Sequence, residues 1–178
     1  PAALAELMGI LVNDGLRLPV ARIESLAFAR GTPYETRLDF DPPPAERVLP
    51  HEVAQAARSA VLGVVERGTA RRLAGTLARP DGTPLAIGGK TGTGDHRFDV
   101  YGRGGQLISS RVVSRSATFV FLIGERYYGT MMAYVREPYA ERYRFTSALP
   151  TQLLKSLAPA LLPFLDRPDS GSACVPLP

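Results

Sequence analysis

The chain is poor in the residues from which most recognisable sites are built. Its single cysteine, Cys174, lies in a Ser/Gly/Pro tail, which excludes a disulfide framework and a cysteine metal centre within the chain. The two histidines fare no better: His51 adjoins a proline-rich connector, and His96 has only Asp95 and Asp99 near it in sequence. No metal and no cofactor are expected from such a set. Long hydrophobic runs are also missing. Leu157–Leu165 is broken by proline, and Ala117–Gly124 ends well short of the ~18 residues that a membrane span needs. Lysine occurs only at Lys90 and Lys155, so the net charge of +4 comes almost wholly from arginine. Those arginines are scattered from Arg17 to Arg167 without a dense run or an aromatic stripe, which argues against a nucleic-acid partner. No charged and apolar leader precedes the first helical pattern, so the chain reads as starting inside a larger protein.

What remains has the composition of one globular domain: 178 residues, 45% apolar and 21% charged. Leu4, Leu7, Met8, Leu11 and Val12 recur at helical spacing, and Asn13-Asp14-Gly15 supplies residues that tolerate the left-handed turn closing a helix. Pro19 to Ala29 has partial strand character, and the prolines crowded between Gly31 and Pro50 predict a loop or extended connector. A second helix is expected from His51, with Val53, Ala57, Ala60, Val61, Val64 and Val65 on one face and Gly68 placed to end it. Pro80-Asp81-Gly82-Thr83 signals a turn, Leu85 to Thr93 a strand, and Gly102 to Gly105 a flexible loop. Asp95 and Asp99 then fall in a solvated loop. Ala117–Ile123 and Tyr127–Val135 form a hairpin about Gly124-Glu125-Arg126. Leu149, Leu153, Leu157, Leu161, Leu162 and Leu165 stripe a last helix that Pro159 and Pro163 should kink or break. The hairpin tyrosines, with Met8, Met131 and Met132, read as packing residues.

This order predicts an α+β fold, an antiparallel sheet flanked by helices. Residues 1–166 would form the domain and 167–178 a disordered tail. Three strands are few for so much helix, which predicts companion strands outside the chain, exposed apolar surface and a tendency to self-associate.

One segment carries chemistry, Gly88-Gly89-Lys90-Thr91-Gly92-Thr93-Gly94. A phosphate loop would place glycine five positions before the glycine that precedes the lysine, but Pro84 stands there. Such a loop also opens a helix, and Arg97 to Gly105 has no helical pattern. No Gly-x-Ser-x-Gly nucleophile elbow occurs either.

Lys90-Thr91-Gly92-Thr93 matches the third signature of the serine acyl-transferases that bind β-lactams, whose other two are Ser-x-x-Lys and Ser-x-Asn. With Arg47-Val48-Leu49-Pro50 and Val64-Val65-Glu66-Arg67-Gly68-Thr69-Ala70-Arg71 upstream, the chain resembles the C-terminal part of a penicillin-binding transpeptidase domain over most of residues 4–165. The match is sharpest from Gly68 to Thr93. Thr93 and the Gly68-Thr69-Ala70 run favour a class A, high-molecular-mass transpeptidase over a carboxypeptidase, a β-lactamase or a β-lactam sensor. The resemblance implies that Lys90 brings positive charge to the substrate and the nucleophile, and that Thr91, Gly92 and Thr93 receive the carboxylate of a peptide or β-lactam. It also implies that the Thr93 backbone N–H supplies one of two oxyanion donors. Neither remaining signature occurs here. Ile87 and Gln152 stand three positions before the two lysines, and Leu11 stands two before the only asparagine, Asn13. The expected function is therefore that of a fragment of a D-alanyl-D-alanine transpeptidase acting on peptidoglycan stem peptides outside the bacterial cytoplasmic membrane, inactive by itself and completed by a missing N-terminal part. The alternative is a non-catalytic binding or assembly domain that keeps the fold.

Overall fold

A computed structural model describes residues 1–20, 23, 25–41 and 44–165. The tail expected after Asp166, with Cys174, and two of the connector prolines, Pro42 and Pro43, lie outside the described residues. Helix α1 (Ala2–Val12) leads to β1 (Leu16–Arg17), β2 (Ser25–Phe28), β3 (Thr36–Asp39) and β4 (Glu46–Arg47). Helix α2 (His51–Glu66), a short 3-10 turn (Arg71–Leu73), the strands β5 (Ile87–Tyr101), β6 (Leu107–Ile123) and β7 (Tyr127–Arg136), and helix α3 (Ala148–Leu165) complete the order. β5, β6 and β7 form a three-stranded antiparallel meander in that order, while β1 with β4 and β2 with β3 make two small ribbons. The connector between Gly31 and Pro50 is thus partly strand, an element that its prolines concealed.

The central strand β6 is covered on both faces, which is why its apolar residues do not simply alternate with polar ones. Phe119 and Ile123 join Ile87, Val65, Ala70, Leu73, Leu77, Leu154 and Ala158 in one core cluster, on the side of α3. Val120 joins Met8 and Leu11, with Leu49, Ala57 and Val61 packed around them, on the side of α1 and α2. Helix α1 ends as its sequence dictates: Asp14 and Gly15 both have positive φ, and a Cβ on Gly15 would press on the Leu49 carbonyl. His51 then opens α2 and pairs with the Asp14 carboxylate across this junction.

Several expectations change. The strands β5 and β6 run past the ends their patterns indicated, to Tyr101 and from Leu107, so Gly102–Gly105 is the tight turn between them and not a flexible loop. Asp95 and Asp99 lie inside β5 and not in a solvated loop; each faces a β6 partner across the sheet, Arg115 and Ser110 respectively. Helix α3 runs unbroken through Pro159 and Pro163. Its packed face is Pro150, Thr151, Leu154 and Ala158, continued by Leu161, Leu162 and Leu165, whereas Leu149, Leu153 and Leu157 remain 39%, 43% and 45% exposed. The helix carries two apolar stripes, and the sheet covers one of them. Val53 on α2, Leu4 and Leu7 on α1, and Met132 and the hairpin tyrosines Tyr128 and Tyr134 are likewise exposed. Met8, Met131 and Tyr127 do pack against the core.

Two carboxylates give the fold an acid-sensitive component. Hydrogen bonding by His51 holds the Asp14 carboxyl below its ordinary value of 3.8, and the Thr83 backbone N–H does the same for Asp81 in the turn at residues 80–83. A depressed native value means that this contribution is complete above 3.8 and is lost as pH falls through the lower native values. Asp14 is partly exposed and Asp81 exposed, so the slope is shallow. His51→Gln should flatten it in urea titrations run below pH 4; an unchanged acid limb would contradict the Asp14–His51 pairing.

Candidate functional site

The Lys-Thr-Gly-Thr segment sits inside β5, the outer strand of the meander, so one edge of its backbone is unpaired among the described strands. This placement removes the phosphate-loop geometry altogether, since the glycines neither follow a strand nor open a helix. Two glycines before the lysine let other elements close on the strand. A Cβ on Gly88 would stand 3.1 Å from the Leu62 backbone nitrogen of α2, and one on Gly89 would stand 2.6 Å from the Phe119 ring. At Gly92 the situation reverses, because a Cβ there meets nothing within 4 Å. The strand is thus clamped before the motif and open within it.

Side chains alternate across a strand, so Thr91, Thr93 and Asp95 share the face turned toward α3, and Lys90 emerges on the other, toward α2. The register agrees: Thr91 lies opposite the buried Phe119 and Thr93 opposite Ala117. Lys90 lays its Nζ on the Thr91 carbonyl at 2.7 Å. The expected site residues therefore fall into two groups. Thr91 and Thr93 stand side by side with Gly92 open between them, and Lys90 is on the opposite side of the sheet.

Both threonine hydroxyls are held from outside the strand. α2 ends at Glu66, and the Gly68 N–H returns to the Val64 carbonyl at 3.1 Å, a turn where a Cβ would come within 3.0 Å of Val64 Cα. Ala70, fully buried, anchors the far side of that turn. Between them Thr69 places its hydroxyl 2.8 Å from that of Thr91. The Gly68-Thr69-Ala70 run thus has a local purpose: glycine to turn, threonine to hold, alanine to pack. Thr93 Oγ1 accepts a 2.9 Å hydrogen bond from the Ser147 N–H, just before α3. A hydroxyl has one proton and two lone pairs, so this bond occupies a lone pair and leaves the Thr93 O–H able to donate outward.

Beyond Thr93 the same face opens into a cleft of about 660 Å³ lined by Thr93, Gly94, Asp95, Arg115, Arg144, Phe145 and Thr146. Its size is that of a small-molecule site. Arg115 braces it, donating to Asp95 at 2.6 Å and to the Ala140 carbonyl at 2.8 Å, which fastens the segment before α3 to the sheet. Sequence reasoning found the threonines and missed Thr69, Ser147, Arg115 and Arg144 as neighbours of the motif. Of these, only Thr69 lay in a run already singled out.

No protein-family model and no curated protein sequence matches the chain. Solved structures do. Penicillin-binding protein 3 from Mycobacterium tuberculosis in complex with aztreonam superimposes with a TM-score of 0.58 at 20% identity, over 92% of this chain and 35% of that one. The same protein in its apo form gives 0.56 at 21% identity with the same coverage, and in complex with ampicillin 0.55 at 22% identity, over 94% of this chain and 36% of that one. The chain thus spans about a third of the length of the protein it resembles. At this level of identity the likeness is one of fold. The α+β arrangement is that of the C-terminal portion of the penicillin-binding transpeptidase fold.

Proposed function

We propose that this chain is the peptide-holding side of a D-alanyl-D-alanine transpeptidase domain, one that cross-links peptidoglycan on the outer side of the cytoplasmic membrane through an acyl-serine intermediate. The observation that carries this reading is the pair of oriented threonine hydroxyls on an edge strand, with Gly92 open between them. A peptide ending in a free carboxylate would add to the β5 edge as an extra strand, with its carboxylate against Thr91 and Thr93. Its penultimate carbonyl would then lie beside the strand, with the Thr93 N–H as one oxyanion donor. A serine outside this sequence would attack that carbon. The new C–O bond would replace the C–N bond, the terminal D-alanine would leave with the proton, and an acceptor amine would later displace the serine. β-Lactams would enter by the same route, their ring C–N bond opening in place of the peptide bond. Lys90, on the face away from the carboxylate, is available to the serine machinery.

The sequence contains neither Ser-x-x-Lys nor Ser-x-Asn, so the chain alone would hold such ligands and not be acylated by them. That absence equally favours a non-catalytic binding domain with the same peptide-holding edge. Amide-resolved NMR titration of the chain with N-acetyl-L-lysyl-D-alanyl-D-alanine tests the shared part. Shifts should concentrate in Lys90–Gly94 and be lost with the C-terminal amide of the same peptide. Equal shifts with both, or none in that segment, would overturn the proposal. A covalent β-lactam adduct on the complete protein that contains this chain would separate the enzyme from the binding domain.

A further inference from the structure

The cleft beyond Thr93 has an unbalanced charge. Asp95 and Arg115 neutralise each other at 2.6 Å, and the Arg115 side chain, 19% exposed, spends a further N–H on the Ala140 carbonyl. Arg144 is the other charged residue of the lining, and it takes part in no hydrogen bond or ion pair among the described residues. Arg144 is therefore the one uncompensated charge among the residues lining the cleft, and Thr93, whose hydroxyl proton is free to donate, lines the same cleft. Lys90, the cation that the motif itself supplies, lies on the opposite face of β5 and does not line this cleft. A guanidinium offers parallel N–H donors that match the two oxygens of a carboxylate, a geometry that an ammonium lacks.

We infer that Arg144 is the counter-ion for the terminal carboxylate of the bound peptide, acting with the Thr93 hydroxyl and setting the preference for a free acid over a capped end. This rests on the peptide-holding role proposed above and adds to it a residue outside the motif. The segment that carries Arg144 is positioned by two contacts already described, Arg115 on Ala140 and the Ser147 N–H on Thr93. A carboxylate in the cleft would thus be read jointly by β5 and by the approach to α3.

The test is calorimetric titration of the whole chain with N-acetyl-L-lysyl-D-alanyl-D-alanine and with its C-terminal amide, for the native chain, Arg144→Gln and Arg142→Gln. The native chain should favour the acid, and Arg144→Gln should lower acid affinity ~10-fold while leaving the amide unchanged, which also shows that the variant is folded. Arg142→Gln removes the same charge from a side chain that stacks on Tyr139 and should keep the native ratio. An Arg144→Gln chain that keeps the native acid-to-amide ratio overturns the role of Arg144 and leaves the peptide-holding edge standing. A native chain that binds neither peptide overturns both.

Discussion

Phe119→Ala should destabilise the fold by about 3–5 kcal/mol, the cost of emptying a large aromatic site in a core that cannot collapse around it. Phe119 is fully buried on the central strand, and its ring stacks on Phe121 with centroids 6.0 Å apart. It also lies where Gly89 has no side chain, so it fills the space that the glycine before the motif leaves open. Removing the ring takes away the surface on which β5 rests directly behind Thr91, its register partner. Urea denaturation should therefore show a large fall in midpoint, accompanied by loss of amide protection along Gly89–Thr93. Gly89→Ala crowds the same place from the other side. A methyl there meets the Val120 carbonyl oxygen as well as the ring, 2.6 Å away, and overpacking of this kind typically costs ~1–3 kcal/mol. A Phe119→Ala loss below about 1 kcal/mol would mean that the core does not support the strand in this way.

Thr93→Val should weaken binding of the acid peptide by about 10- to 100-fold, since a hydrogen bond to a charged group contributes ~1.5–3 kcal/mol. Valine keeps the shape and β-propensity of threonine and removes only the hydroxyl. The change deletes the outward O–H donor and leaves the Ser147 N–H without its 2.9 Å partner. Because Thr93 is exposed, water can take over that N–H, and stability should change little. Loss of affinity without loss of stability separates a binding role from a structural one. Thr93→Ser, which retains the hydroxyl, should bind as the native chain does. Titration calorimetry alongside urea melts reads both quantities, and a Thr93→Val chain that binds within twofold of native would remove Thr93 from the site.

Local pattern made much of this fold legible. The turn at Asp14-Gly15, the start of α2 at His51, the turn at residues 80–83 and the hairpin about Gly124 all follow from residues whose preferences agree with their surroundings. The failures share a physical cause. The far end of β5 carries Asp95, His96, Arg97 and Asp99, polar residues that read as loop, yet cross-strand partners on β6 make them strand. Helix α3 carries two apolar stripes, and no periodicity says which one a sheet will cover. The same holds at the site. Lys90-Thr91-Gly92-Thr93 is contiguous and visible, whereas Thr69 reaches it from 22 residues away and the Ser147 N–H from 54, contacts that exist only once the chain is folded. Arg144, one arginine among many in sequence, is distinguished only by a cleft.

The most direct measurement is the pattern of intermolecular NOEs between the chain and isotope-labelled N-acetyl-L-lysyl-D-alanyl-D-alanine. A peptide added to the β5 edge should show backbone contacts of strand type to Gly92–Gly94, with the methyl of its terminal D-alanine close to the Thr93 and Arg144 side chains. Contacts confined to the exposed edge of β7, or to the apolar stripe of Leu149, Leu153 and Leu157 on α3, would contradict a peptide-holding role for Lys90-Thr91-Gly92-Thr93.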